Sequence, residues 1–246
     1  MVNERLRGAI SAAGRTVDEV ADAVRVDPKT VERWITRDRV PHRTTRLTLA
    51  TLLDVKETYL WPALNDQVRT RSASAAEVVE FYPSRSAVPM DLFIELIEAA
   101  RESVDLLAFA GLFLPEHVDL VPRIVRRALK GVRVRVLLGD PDSEAVALRG
   151  REEGLDEGMA HRVRLSLRYF QEAERTPGIE LRLHATTLYA SIVRADQALL
   201  VNTHVYGAPA AQSPVLHLRR VPDGRVFDHY LTSFERVWAG AADGQG

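Results

Sequence analysis

The stretch LYASIVRADQALLVNTHVYG, residues 188–207, concentrates side chains able to bind a small molecule. Tyr189 and Ser191 stand two apart, so in a strand they share one face, and His204 and Tyr206 do the same one strand later. Phenol rings stack on flat molecules, while a serine hydroxyl and imidazole nitrogens exchange hydrogen bonds. Upstream, Arg182 and His184 alternate with Leu181 and Leu183; downstream, His217 and Arg219 alternate with Leu216 and Leu218. These positions predict one concave surface suited to a small aromatic or nucleoside-like effector, with Arg182 or Arg219 pairing an acidic group on it. Polar residues at alternate strand positions describe a solvated sheet face or a dimer surface equally well. Asp140-Pro141-Asp142 closes the run VRVRVLLGD, where carboxylates at a strand's end can orient a ligand; a plain turn is the simpler reading. The chain has no Cys and no H-E-x-x-H run, and its histidines lack a matching carboxylate set, so neither a metal nor a cofactor is expected.

Those residues need a frame. The chain's 246 residues suffice for one large domain or two ordinary ones, and 46% hydrophobic with 27% charged residues is a globular composition. The net charge of −1 gives no global pull toward nucleic acid or membrane, so a DNA-binding surface must come from local segregation of charge. The absence of Cys removes disulfides, thiolate zinc sites and Cys nucleophiles, and fits a reducing compartment. The opening MVNERLRGAI lacks the apolar run of a secretory leader, and no stretch approaches the roughly 20 apolar residues of a membrane span. The expectation is a cytoplasmic protein with no membrane partner.

Residues 1–67 read as short helices. Asn3 to Ala13 spaces Leu6, Ala9 and Ile10 helically, and Thr16-Val-Asp-Glu19 has the pattern of a capping box. Asp27-Pro28 starts a helix that turns Val31, Trp34 and Ile35 inward. A fourth helix from Thr44 or Thr45 is expected to bury Leu47, Leu49, Leu52 and Leu53, and KETYLWP gives a short fifth. Residues 68–77, VRTRSASAAE, read as a linker, or as an Ala-rich helix extension. From 78 to 240 strands and helices alternate, with helices over about 89–101, 116–130, 158–175 and 224–239. Six strands are expected within 104–111, 132–140, 179–185, 188–195, 198–207 and 215–221; GREEGLDEG, 150–158, reads as a mobile surface segment, and 241–246 as a tail. The fold class is therefore an α-helical N-terminal domain followed by an α/β domain with a mixed sheet flanked by helices.

TVDEVADAVRVDPKTVERWITRDRVP is a helix, a tight turn and a second helix. In a helix-turn-helix the second helix enters the major groove and its first residues meet base edges. Here those are Lys29, Thr30, Glu32 and Arg33, whose donors and acceptor suit guanine and cytosine. Between Pro28 and Arg46 six basic residues stand against two acidic ones, a local excess of +4, and Arg37, Arg39, Arg43 and Thr44 can contact phosphates. The segment, with RLTLATLLDV after it, resembles the lambda-repressor-like, xenobiotic-response-element type of helix-turn-helix over about residues 3–62. That resemblance implies binding to a double-stranded DNA operator as a homodimer. The Gln that many relatives carry in the second helix has no counterpart here, Thr16 or Asp18 standing in that neighbourhood. A small helical bundle used for protein contacts is the alternative.

Residues 78–240 resemble one half of a phospholipase D-like fold. Active members carry H-x-K-x-x-x-x-D, in which His attacks phosphorus and Lys holds phosphoryl oxygens, followed by a G-S-x-N-like strand. Counting back from Asp196 puts Tyr189 at the His position and Ser191 at the Lys position; Thr203, His204, Val205 and Tyr206 fall over the later motif, so only the Asp remains. The register starting at His184 gives no working site either. The expectation is a transcription regulator without enzymatic activity, whose second domain senses a small molecule, forms a homodimer, or both. An antitoxin-like or scaffold protein that binds a partner protein is the alternative, and a phosphodiester-cleaving enzyme the third reading.

Overall fold

The computed structural model describes residues 2–244, the side chains at 65–68 and 117–118 excepted. Its contacts divide the chain after Ser72 into two units. The first contains α1 (Glu4–Ala12), α2 (Val17–Ala23), α3 (Pro28–Thr36), α4 (Arg43–Leu52), α5 (Glu57–Leu60) and the larger part of α6 (Ala63–Ala76). The starts of α1, α2 and α3 have a local side-chain cause. Asn3 Oδ1 accepts from Leu6 N at 2.9 Å, and its buried amide donates to Asp38 and to Leu60 O at 2.8 and 3.0 Å. Thr16 and Glu19 cap each other's backbone N–H, at 3.2 and 2.8 Å, and Asp27 Oδ1 accepts from Lys29 N at 2.8 Å. Leu6, Val20, Val31, Trp34, Leu49, Leu60 and Trp61 close the core. Of the expected α4 stripe, Leu49 and Leu53 are buried and Leu52 is half-buried, but Leu47 is exposed, because two positions along a helix turn by about 200° and Leu47 faces away from Leu49.

Helix α6 (Ala63–Ala76) runs through residues read as a linker. Ala and Arg are good helix formers, and that propensity outweighs the missing apolar stripe. Its final turn, from Ala73, belongs to the second unit. Ser74 Oγ accepts from Arg225 N, and the fully buried Glu77 carboxylate accepts from Val226 N and Phe227 N at 2.7 and 3.3 Å.

The second unit is one mixed sheet. Its elements are β1 (Val78–Tyr82), α7 (Met90–Ala99), β2 (Ser103–Ala108), α8 (Phe113–Val118), α9 (Leu120–Ala128), β3 (Arg133–Gly139), α10 (Glu144–Glu152), α11 (Gly158–Glu174), β4 (Ile179–His184), β5 (Ala190–Ala195), β6 (Ala198–Thr203), β7 (Val215–Arg219), α12 (Val226–Ala239) and β8 (Ala242–Asp243). The strand order is β1-β7-β6-β5-β2-β3-β4-β8. β2, β3 and β4 are parallel, joined through helices, whereas β5, β6 and β7 follow as antiparallel neighbours.

The six expected strands all form. The expected helix at 116–130 is two, broken at Asp119, whose φ is 45°. Residues 150–158 are not a loose segment: α10 runs to Glu152, and a Cβ on Gly150 would lie 2.2 Å from Asp156 O, so that glycine allows close packing. The expected tail includes β8, which pairs with Arg182 and Leu183 on β4; residues 245 and 246 lie outside the described residues. No helix among the described residues is long and apolar enough to cross a membrane.

A buried ion cluster lies under α12. Asp105, Arg135 and Arg194 are register partners on β2, β3 and β5, and Asp105 accepts from Arg135 Nε at 2.7 Å and Arg194 Nη1 at 2.6 Å. Arg135 also forks onto Glu235 at 2.8 and 2.7 Å, with the rings of Phe234 and Trp238 against it. Burial lowers the Arg135 pKa, but Glu235 and Asp105 overcome that and hold it above its ordinary value.

Candidate functional site

In the second unit the residues expected to form one surface are distributed over several surroundings. Two come together. Ser191 Oγ lies 3.0 Å from His204 Nε2, and His204 Nδ1 lies 3.2 Å from Leu188 O. A carbonyl only accepts, so Nδ1 carries the ring proton and Nε2 accepts from the Ser191 hydroxyl. Backbone pairing sets this up: His204 N donates to Tyr189 O at 2.9 Å, continuing the β5–β6 ladder beyond Thr203. Burial first, then the Arg149 guanidinium, lower the His204 pKa to about 4 against an opposing pull from the Leu188 carbonyl.

The other expected ligands stand elsewhere. Tyr189 and Tyr206 are 84% and 83% exposed, so neither ring packs against Ser191 or His204. His184 is buried, its Nε2 donating to Ala108 O at 3.2 Å and its Nδ1 accepting from Thr186 N at 3.3 Å; burial lowers its pKa. Arg182 packs on Trp238, with its guanidinium carbon 4.4 Å from the ring centre and Nη1 3.2 Å from Trp238 O. His217 is buried on β7 with no hydrogen-bond partner for Nε2 among the described residues, and its pKa is lowered by burial and by Arg219, which is exposed. The single surface fails because alternation within one strand does not say which face of the sheet a residue joins: the register aligns Arg182 with Leu137, Leu107 and Ile192, on the face opposite to Ser191. Asp140 closes a turn, its Oδ1 accepting from Asp142 N at 2.9 Å.

Ser191 and His204 line a cavity of about 440 Å³. Its floor is the sheet face carrying Leu106, Ala108, Val136, Leu138 and Val193; α8 contributes Phe113, and α11 contributes Met159, Arg162 and Phe170. Arg85 reaches it from a 3-10 turn, Arg85–Ala87, its guanidinium carbon 3.9 Å from the Phe113 ring centre. Burial and Arg162 lower the Arg85 pKa while Glu153 opposes them. Buried Arg149 engages Glu153, Nε to Oε1 at 2.6 Å, and donates to Ala208 O at 3.1 Å. The sequence reading missed Arg85, Arg149 and Arg162, because none of them sits at a motif spacing; only the fold joins them to β5.

The serine–histidine pair has the form of a nucleophile and base, but a base works best with a pKa near the working pH, and a value of about 4 makes this imidazole a weak one. The pKa has a stability consequence. His204 titrates in the folded chain at about 4, below the ordinary 6.5. Its contribution is therefore fully present above pH 6.5 and is lost as pH falls toward about 4. Thermal melts should show native stability declining through that window and His204→Gln declining less; an identical pH slope in both proteins would exclude His204 as a contributor. His184 and His217, both also lowered, add to the remaining slope, as do the lowered carboxyls of Asp196 and Glu235 toward its acid end.

In the first unit, α3 buries Val31, Trp34 and Ile35 and leaves Lys29, Glu32 and Arg33 exposed, with Thr30 half-buried. Arg37, Arg39, Arg43 and Thr44 are exposed as well. Arg46 is committed elsewhere, to Glu57 at 3.1 Å and Pro41 O at 3.0 Å.

The chain thus has an α/β unit with a cavity of about 440 Å³ on one face of its sheet, and before it a helical unit with exposed basic residues on α3. The chain belongs to the family described as "Domain of unknown function (DUF5919)", whose model matches residues 74–243. No curated protein matches. Among solved structures it is similar to TrmBL2, an archaeal chromatin protein with a novel mode of DNA binding, at 14% identity, over 83% of this chain and 72% of that one, with a TM-score of 0.43. It is also similar to Nuc from Salmonella typhimurium, a phospholipase D family member, at 17% identity over 68% and 95% of the two chains, TM-score 0.43. NucT from Helicobacter pylori is 11% identical over 67% and 97%, TM-score 0.42.

Proposed function

We propose that this protein is a sequence-specific DNA-binding transcription regulator of the lambda-repressor-like type, whose second unit is a phospholipase D-like domain without catalytic activity that senses a small molecule and forms the homodimer. The observation that carries the DNA reading is the two-sidedness of α3: Val31, Trp34 and Ile35 are in the core, while Lys29, Glu32 and Arg33 project to solvent after a capped start. Among the described residues, the side chains of Lys29, Arg33, Arg37, Arg39 and Arg43 make no hydrogen bond or ion pair, so their charge is available to phosphates and base edges. The sensor reading draws support from the cavity, and the inactive reading from an outward Tyr189 where the nucleophile would stand.

The test begins with an operator selected from a random duplex pool. Arg33→Ala should weaken that operator by about 1–3 kcal/mol and relax preference at one base pair, whereas Arg43→Ala should weaken all duplexes about equally and reduce the salt slope. Unchanged operator binding by Arg33→Ala at fixed salt would remove α3 from the groove. The homodimer follows from the half-site geometry of helix-turn-helix pairs and from the paired halves of phospholipase D-like folds. Exposed Tyr189, Val205 and Tyr206 offer apolar surface for it. Light scattering on the full chain should give twice the monomer mass; a monomer at micromolar concentration refutes the dimer.

A further inference from the structure

We propose that the cavity of the second unit binds an amphipathic organic carboxylate, its charged end held by Arg85 and Arg162 and its flat apolar body seated against Phe113 and Phe170. This deepens the sensor reading above and rests on its claim that the second unit takes a small molecule; it does not depend on DNA binding.

The argument starts from unspent charge. Arg85 is half-buried, and among the described residues its guanidinium makes no hydrogen bond or ion pair; its only close partner is the face of Phe113, 3.9 Å away. Stacking uses the flat face of a guanidinium and leaves its N–H edge to donate. Arg162, on the exposed side of α11, lines the same cavity and is also without such a partner. Glu153 acts on Arg85 more strongly than Arg162 does, but it is bonded to Arg149, so the N–H edge of the Arg85 guanidinium keeps its donors for an incoming anion.

The carboxylates on the same wall set the ligand's charge. Glu153 lines the cavity but is occupied by Arg149, which it meets at 2.6 Å. Glu116 also lines it, from the exposed side of α8. With these two nearby, a doubly charged phosphate meets more repulsion than a singly charged carboxylate, and the planar carboxylate fits the guanidinium fork.

The rest of the wall sets the body. The aliphatic floor and the rings of Phe113 and Phe170 offer contact to flat hydrocarbon, within a volume typical of small-molecule sites, about 300–1,000 Å³. The Ser191 hydroxyl already donates its hydrogen bond to His204, so its oxygen is left only to accept and does not bind the anion. That places the acid at the arginines and allows a hydroxyl or N–H of the ligand at Ser191.

Titration calorimetry on the full chain, without DNA, tests this with 2-naphthoate and 4-phenylbutyrate, the neutral 2-naphthalenemethanol, and 2-naphthyl phosphate. The expected result is saturable binding of both carboxylates, with the alcohol and the phosphate weaker by roughly tenfold or more. Arg85→Gln and Arg162→Gln should each weaken the carboxylates by about the same factor and leave the alcohol unchanged. Should Arg85→Gln fail to fold in a thermal melt, Arg162→Gln, at an exposed position, gives the same readout. No saturable carboxylate binding by about 1 mM, equal affinity for acid and alcohol, preference for the phosphate, or carboxylate binding unaffected by both variants overturns the assignment. A separate DNA-shift assay keeps the two proposals apart: loss of carboxylate binding with intact DNA binding sinks only this site, and the reverse sinks only the DNA reading.

Discussion

Replacing Asp105 by Ala should cost the second unit about 3–5 kcal/mol, enough to consume a third or more of a typical domain's stability. The Asp105 side chain is 1% exposed and stands between two guanidiniums, Arg135 at 5% and Arg194 at 11% exposure. Removing it leaves two buried cations sharing one wall of the sheet. Arg135 keeps its fork onto Glu235 and Arg194 keeps Asp196 O at 2.9 Å, but both guanidiniums are buried, so water replaces the lost carboxylate poorly. The contrast is with the outer end of the same cluster. Glu235 is 47% exposed, so Glu235→Gln should cost about 1 kcal/mol or less, solvent screening having already weakened that pair. Urea titrations of the three proteins, followed by fluorescence and circular dichroism, measure both numbers. An Asp105→Ala loss below about 1 kcal/mol would mean that Arg135 and Arg194 swing into solvent at little cost.

Asp196→Ala should cost about 3–4 kcal/mol. Asp196 occupies the β5–β6 turn with φ at 49°, a region Asp tolerates and Ala does not. Its carboxylate accepts from Arg101 N at 2.8 Å and from Glu102 N and Ser103 N at 2.9 Å each, tying the hairpin to the start of β2. Burial would raise its pKa, but these three donors, with Arg194, outweigh it and hold the carboxyl below its ordinary value. The contribution is therefore present above the ordinary carboxylate pKa and disappears as pH falls through the depressed one. Three replacements separate the causes. Asp196→Gly relieves the backbone but loses every bond; Asp196→Asn keeps one acceptor oxygen and tolerates the turn; Ala loses both. Denaturation midpoints should rank native above Asn, Asn above Gly and Gly above Ala, and Asp196→Ala at native stability would refute the tie. The Asp196 carboxylate thus has a structural role, joining the β5–β6 turn to the residues that start β2.

How much of this was legible in the sequence depends on the range of the interaction. The helical starts at Asn3, Thr16 and Asp27 are made by groups two or three residues apart, so residue type and spacing suffice. The strands from β2 to β7 carry enough apolar residues to be read directly. β1 was missed because it is an edge strand, largely exposed, whose partner β7 lies far along the chain. α10 was missed because Gly150 and Gly154 read as looseness, although Gly150 serves close packing.

Site assembly was least legible. Alternation put Tyr189 and Ser191 on one face of a strand, but Tyr189 precedes β5 and is exposed, while Ser191 lies within the strand and lines the cavity. His204 meets Ser191 only because β5 and β6 pair in the register Ser191 with Asn202 and Ala190 with Thr203. Arg85 and Arg162 reach the same space from a short turn and from α11, and Asp105, Arg135 and Arg194 meet through three strands. The sequence by itself determined the helix caps, the strand-forming runs and the two-sidedness of α3, because these follow from neighbours within a turn or a pleat. The tertiary structure alone decided which charges are buried together and which stand unpaired around a cavity, because burial and distance between remote residues are set by strand order and register, which no local pattern contains.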